Sequence, residues 1–153
     1  MLGNNVEKED AKKLVENAIS SGLALNKFKE LVSYQGGNIN CIENTKLFPK
    51  SEYNIEVISE KKGYINSMDT EEIGKISCKL GAGREKKDDQ IDYSAGITIL
   101  KKTGDFIKTG ETIALLHTNQ KEKADNLIMD YLNSIKLTNS KPENHKLIYE
   151  VID

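Results

Sequence analysis

The sequence predicts an α+β protein: a pair of helices leading into a domain of short strands and two further helices. Three observations carry that expectation. Residues 4–35 place apolar side chains at helical spacing, residues 53–57 alternate apolar and polar, and residues 120–134 return to the helical period.

Taken in order, Asn4 and Glu7 stand at capping-box spacing, and Ala11, Leu14, Val15, Ala18 and Ile19 then mark one helical face. Gly22 supplies a left-handed C-cap. Leu25, Phe28, Leu31 and Val32 make a second stripe, which Gly36-Gly37 stops. Amphipathic helices must lay their stripes on something, and little else here is helical enough for a bundle. Residues 38–52 have no period and include Pro49, so they read as a connector.

From Tyr53 the pattern is strand-like, with Tyr53, Ile55 and Val57 alternating with Asn54 and Glu56. Lys61-Lys62-Gly63 turns the chain into a second strand, 63–68. A short helix follows over about 70–80, its free amides capped by Asp69, with Glu72 at capping-box spacing. Two more strands are expected at 95–100 and 112–117. Between them Thr103-Gly104-Asp105 recurs six residues later as Thr109-Gly110-Glu111, and each glycine permits a tight turn. Helix 120–134 presents Ala124, Leu127, Ile128, Tyr131 and Leu132 inward, and KLIYEVI (146–152) reads as the last strand.

Composition excludes several function classes. A chain of 153 residues suits one domain or a domain with an appendage, and it can bury a core without metals or disulfides. Charged residues make up 30% and the net charge is −2 with signs mixed, which argues against a nucleic-acid surface. The longest apolar run is about five residues, far short of the roughly 20 that cross a bilayer. MLGNNVEKED lacks the basic-then-apolar order of a secretory signal. Cys41 and Cys78, 37 residues apart, fit a reducing compartment. A cytoplasmic protein is expected.

The stretch KLGAGREKKDDQID (79–92) holds the most conspicuous motif. Its glycines lack the spacing of a P-loop, and they close a helix where a dinucleotide fingerprint opens one. A helix C-terminus presents carbonyls, which repel phosphate. Gly81 and Gly83 therefore read as a capping turn, with Arg84 countering the helix's negative end. Asp88-Asp89-Gln90-Ile91-Asp92 fails the EF-hand pattern, having Gln90 and Tyr93 where an oxygen ligand and glycine are wanted. Asp69, Glu71 and Glu72 are explained by capping. His117 and His145 have no second ligand at zinc spacing, and Cys78 sits mid-helix, where a thiol is inert packing. The glycine turns at 103–111 look similar to hairpins of biotinyl and lipoyl carrier domains, but no MKM or DKA carrier lysine occurs.

Together, GLALNKFKELVSYQGG (22–37), LFPKSEYNIEVISEKKGYINSMDTEEIG (47–74), LGAGREKKDDQIDYSAGI (80–97), TGDFIKTGETIALLHT (103–118) and KLIYEVI resemble, in order, the carboxy-terminal region of the pyrimidine-nucleoside and thymidine phosphorylases. The resemblance covers nearly the whole chain. It implies an α/β-hammerhead with a barrel-sandwich-like β element at 53–153, a connector at 38–52, and at 1–37 the helical tail of a parent α/β domain. It also implies a parent reaction, in which phosphate attacks the anomeric carbon of a pyrimidine nucleoside to give free base and pentose 1-phosphate. The family's KHSxGGVGD-like phosphate loop and SGRGxxxTGGTxD-like run do not occur here. No catalytic, cofactor or metal residue is thus assigned in this chain, and a potassium site of bacterial members would lie upstream. Gly81, Gly83, Arg84, Asp92, Gly104 and Gly110 are expected to be structural or domain-docking residues. The implied partners are the upstream domains of a homodimeric parent, with the isolated chain inactive and monomeric. The competing expectation is a stand-alone barrel-sandwich binding or carrier-like module.

Overall fold

A computed structural model describes residues 6–143 and 148–150. The chain divides into two compact units, Met1–Phe48 and Pro49–Asp153.

The first unit contains helices α1 (Lys8–Ser20) and α2 (Leu23–Tyr34), a short α3 (Asn40–Glu43) and a 3₁₀ turn (Thr45–Leu47). Gly22 is left-handed, with φ 78°, and links α1 to α2. Helix α1 starts at Lys8 with Glu7 as its N-cap and no side-chain cap bond. Glu7 is therefore not the third residue of a capping box, and Asn4 lies outside the described residues. The connector is not structureless: Asn38 Oδ1 accepts from the Asn40 N–H and Asn44 Oδ1 from the Lys46 N–H, each opening a short helical turn. Such turns are too short to show a period.

The second unit holds strands β1 (Tyr53–Ile58), β2 (Gly63–Met68), β3 (Gly96–Ile99), β4 (Phe106–Ile107), β5 (Thr112–Thr118) and β6 (Ile135–Thr138). It also holds helices α4 (Thr70–Ser77) and α5 (Lys121–Asn133). They form two antiparallel sheets of three strands, in the orders β1-β5-β3 and β4-β2-β6. The α+β class holds. The core gathers Val57, Ile65, Ile107, Ile113 and Leu116 from strands, Ile73 and Ile76 from α4, Leu80 just beyond it, and Ala124, Leu127 and Tyr131 from α5. Ile128 and Leu132 pack against it partly exposed, so the expected inner face of α5 is the observed one.

The end of this unit differs from expectation. The last strand among the described residues is β6, which follows α5 after the single residue Ser134 and pairs with β2. Of the segment expected to be a strand, Ile148 to Glu150 have no strand structure, and the remainder lies outside the described residues.

Candidate functional site

Helix α4 begins as its sequence dictates: Asp69 Oδ1 accepts the Glu72 N–H at 3.0 Å. Ile73, Ile76 and Leu80, spaced three and four apart, then run into the core. The helix does not end as a simple cap. Cys78–Ala82 widens into a π turn, and Gly81 inside it has φ 116°, which side-chain-bearing residues rarely adopt. The two glycines of the motif serve different needs. Gly83 is extended, but a Cβ there would lie 2.8 Å from Cys78 Sγ, so the loop passes too close to the helix for any side chain.

The loop that follows is tied back at its far end. The Asp92 N–H donates to Gly81 O at 2.9 Å. The Asp92 carboxylate accepts from Ser94 Oγ at 2.6 Å, the Ser94 N–H at 2.9 Å and Asn119 Nδ2 at 2.8 Å. Donors on the charged form hold its pKa below the usual carboxylate range, with the Ser94 hydroxyl foremost. Asn119 Oδ1 also accepts the Glu52 N–H at 2.7 Å, just ahead of β1. Next to it, the buried Thr118 hydroxyl donates to Leu80 O at 2.9 Å and accepts the Gln120 N–H at 3.1 Å. Residues from four places in the sequence thus meet around the loop's base. Within the loop, Asp89 Oδ2 accepts the N–H groups of Glu85 and Lys86, at 3.0 and 2.8 Å. Two of the three carboxylates of the calcium-like run, Asp89 and Asp92, are therefore engaged by the protein's own donors. Arg84 is exposed, and Lys79 is the basic residue in the turn, 3.9 Å from Asp130.

Together the loop, the π turn and the start of α5 border a cleft of about 560 Å³ lined by Cys78, Lys79, Gly83, Lys86, Gln120 and Lys123 among others. Its walls mix lysines with Glu85 and Asp89. His117 lies in the central strand β5, with its ring nitrogens against Asn54 Oδ1 at 2.5 Å and Thr98 Oγ1 at 2.8 Å. It bridges β1 and β3, and a Cys78–His117 nucleophilic pair is not assembled. His145 lies outside the described residues.

The second candidate segment, 103–111, is built twice over. The Lys102 N–H donates to Asp105 Oδ2 and the Lys108 N–H to Glu111 Oε2, both at 2.8 Å. The Gly104 N–H reaches Ile65 O while the Ile65 N–H reaches Asp105 O. Six residues on, the Gly110 N–H reaches Ser59 O while the Ser59 N–H reaches Glu111 O. Each turn thus clamps one residue of the 59–65 segment. Gly104 and Gly110, with φ 92° and 81°, are left-handed, so the repeated Thr-Gly-acid triplet reflects a repeated geometry. Lys101 adds an ion pair to Glu111 at 2.7 Å.

Gly81, Gly104 and Gly110 were visible from the sequence as turn residues and Asp92 as part of an acidic loop; Ser94, Thr118 and Asn119 were not singled out. Ser94 stands two residues after an aspartate, the signature of an Asx turn. Asn119 carried no local signal, because its partners lie 27 and 67 residues away.

The model of the Pyrimidine nucleoside phosphorylase C-terminal domain matches residues 64–138. The Pyrimidine-nucleoside phosphorylase of Staphylococcus epidermidis is 40% identical over 144 residues, covering 94% of this chain and 33% of that protein. That of Staphylococcus haemolyticus is 37% identical with the same coverage. That of Staphylococcus aureus is 36% identical over 154 positions, 98% of this chain and 35% of the relative. The chain spans about a third of the length of these relatives. It therefore belongs to the pyrimidine-nucleoside phosphorylase family, as that family's C-terminal part.

Proposed function

We propose that the chain is the C-terminal structural domain of a pyrimidine-nucleoside phosphorylase, working as a brace for the domains that carry out the reaction. The parent reaction would be phosphorolysis of a pyrimidine nucleoside to the free base and pentose 1-phosphate. Phosphate, the co-substrate, and any potassium ion would be held outside these 153 residues, which contain neither the phosphate loop nor the base-reading run. The reaction needs an oriented phosphate and electrostatic stabilisation of the departing base, so the isolated chain is inactive.

The observation that carries this reading is the knot at Asp92. Three side-chain acceptors and donors, Asp92, Ser94 and Asn119, together with the Leu80–Thr118 bond, fix the base of an exposed, charged loop. A loop held this way suits docking, because little ordering remains to be done on contact. In an enzyme whose domains close on substrate, such a loop can set the closed position. The α/β-hammerhead architecture with a barrel-sandwich-like element belongs to this reading, as do the assignments of 1–37 to a parent α/β domain, 38–52 to a connector and 53–153 to the brace. The two clamped glycine turns support the sandwich part of it.

Two assays test the proposal. The 153-residue chain, given thymidine or uridine with phosphate, is expected to release no base; steady release would overturn the account of a missing site. Asp92→Asn and Gly83→Ala, placed at the matching positions of a full-length relative, are expected to lower kcat more than they lower the melting temperature would explain. Unchanged turnover would favour the other reading, a stand-alone barrel-sandwich binding module.

A further inference from the structure

Thr118 and Asn119, consecutive residues at the end of β5, hold both ends of the charged loop and the place where the chain enters the second unit. Thr118 Oγ1 donates to Leu80 O at 2.9 Å, at the loop's start. Asn119 Nδ2 donates to Asp92 Oδ2 at 2.8 Å and to Ser94 Oγ at 3.1 Å, at its end. Asn119 Oδ1 accepts the Glu52 N–H at 2.7 Å. The second unit opens at Pro49, and Glu52 directly precedes the Tyr53–Thr118 pair at the end of the β1–β5 ladder. The carboxamide therefore extends that ladder by one bond. An asparagine amide is a flat group with two N–H donors at one end and an oxygen at the other. Here both ends are engaged, so turning the group to spoil one end spoils the other.

We propose that Asn119 is a coupling device, tying the order of the charged loop to the order of the segment by which the chain enters the second unit. The acceptors that hold its Nδ2 are themselves fixed. Ser94 Oγ rests on Asp92 Oδ1 at 2.6 Å, and the Asp92 N–H rests on Gly81 O at 2.9 Å. What fixes Asp92 thus fixes Asn119 and, through its oxygen, the Glu52 N–H. Bonds in such a chain also polarise one another, so losing one weakens the next. Coupling of this kind runs both ways. Ordering the loop, as a partner resting on it would, steadies the entry segment, and displacing the entry segment loosens the loop. The coupling holds whatever rests on the loop, so it does not depend on the phosphorolysis reading.

The test is amide hydrogen exchange of the 153-residue chain, resolved by residue with NMR. In the unaltered chain the Glu52 amide should exchange about tenfold more slowly than in an unstructured peptide. Asn119→Ala should abolish that protection. Asp92→Ala should remove most of it, although the Asp92 side chain bonds to Asn119 and Ser94 rather than to Glu52. Asp89→Ala takes the same charge from the same loop, but Asp89 bonds to the Glu85 and Lys86 amides, so Glu52 should not change. The Leu116 amide, in the central strand, reports whether the fold is intact. Where Asp92→Ala accelerates Leu116 as well, Ser94→Ala, which keeps the carboxylate, is read by the same criterion and should cause a partial loss. An unprotected Glu52 in the unaltered chain overturns the proposal. So does protection that survives both Asp92→Ala and Ser94→Ala, or that Asp89→Ala reduces as much as Asp92→Ala does.

Discussion

The two compact units are made from similar sequence patterns and reach opposite ends. In both, apolar residues recur at helical spacing. In the second unit α5 buries Ala124, Leu127 and Tyr131 against two sheets, whereas in the first α1 buries Ala11 and α2 buries none. The period of a stripe states that a face needs cover, and the strands supply that cover in one unit only. Amphipathicity is a demand made by sequence, and tertiary partners decide whether it is met.

This contrast can be broken or sharpened by substitution. The largest effect is expected at Leu116, fully buried on the central strand of its sheet. Leu116→Ala should cost about 3 kcal/mol in urea unfolding of the second unit. A cost below about 1 kcal/mol would mean that the core is loosely packed and the contrast shallow. Gly83→Ala comes next, at about 2 kcal/mol, since its methyl must displace Cys78 or the loop; the cost should shrink in Gly83→Ala/Cys78→Ala.

Asp92→Asn should cost about 1 kcal/mol, discounted for the partial exposure of the site. Its pH signature has a definite sign. The folded-state pKa of Asp92 is lowered, so its contribution is complete above the ordinary aspartate value and disappears as pH falls through the lower folded value. Acid unfolding profiles of wild type and Asp92→Asn should therefore converge at low pH, and parallel profiles would remove the carboxylate from the account.

Tyr131→Phe should be neutral or stabilising by up to about 1 kcal/mol, because the buried hydroxyl has no hydrogen-bond partner among the described residues. Burial pushes that phenol up to about 12. The neutral form is the one the fold favours, so its contribution is present below the ordinary tyrosine value and is lost as pH rises toward 12. The smallest effect belongs to the first unit. Phe28→Ala, in dilute protein, should move the unfolding midpoint of the second unit by less than about 0.5 kcal/mol.

Most of the fold was legible because it is written in local periods. The alternation at Tyr53, Ile55 and Val57 gave β1, and the spacing of Leu127 and Tyr131 gave the buried side of α5. Strand β6 was not legible. It follows α5 after Ser134 alone, with no glycine or proline to mark a break, so Ile135 and Leu137 resemble a helix's last turn. The site shows the same divide. Gly81 and the Thr-Gly-acid triplets announce turns wherever they occur, and Asp69 announces a cap. The Asn119 contacts and the Thr118–Leu80 bond appear only once β5 is laid beside α4, and no spacing along the chain encodes that.

The paired clamps of the 103–111 segment carry one more consequence. Gly104 answers Ile65 and Gly110 answers Ser59, so the same interval is measured on two segments running in opposite directions. Adding one residue between 59 and 65 would let only one clamp close, and side chains beyond the insertion would turn to the wrong face. A matching addition between 104 and 110 would restore both. Length in one segment is thus tied to length in the other, and relatives or engineered variants should gain and lose residues there in step.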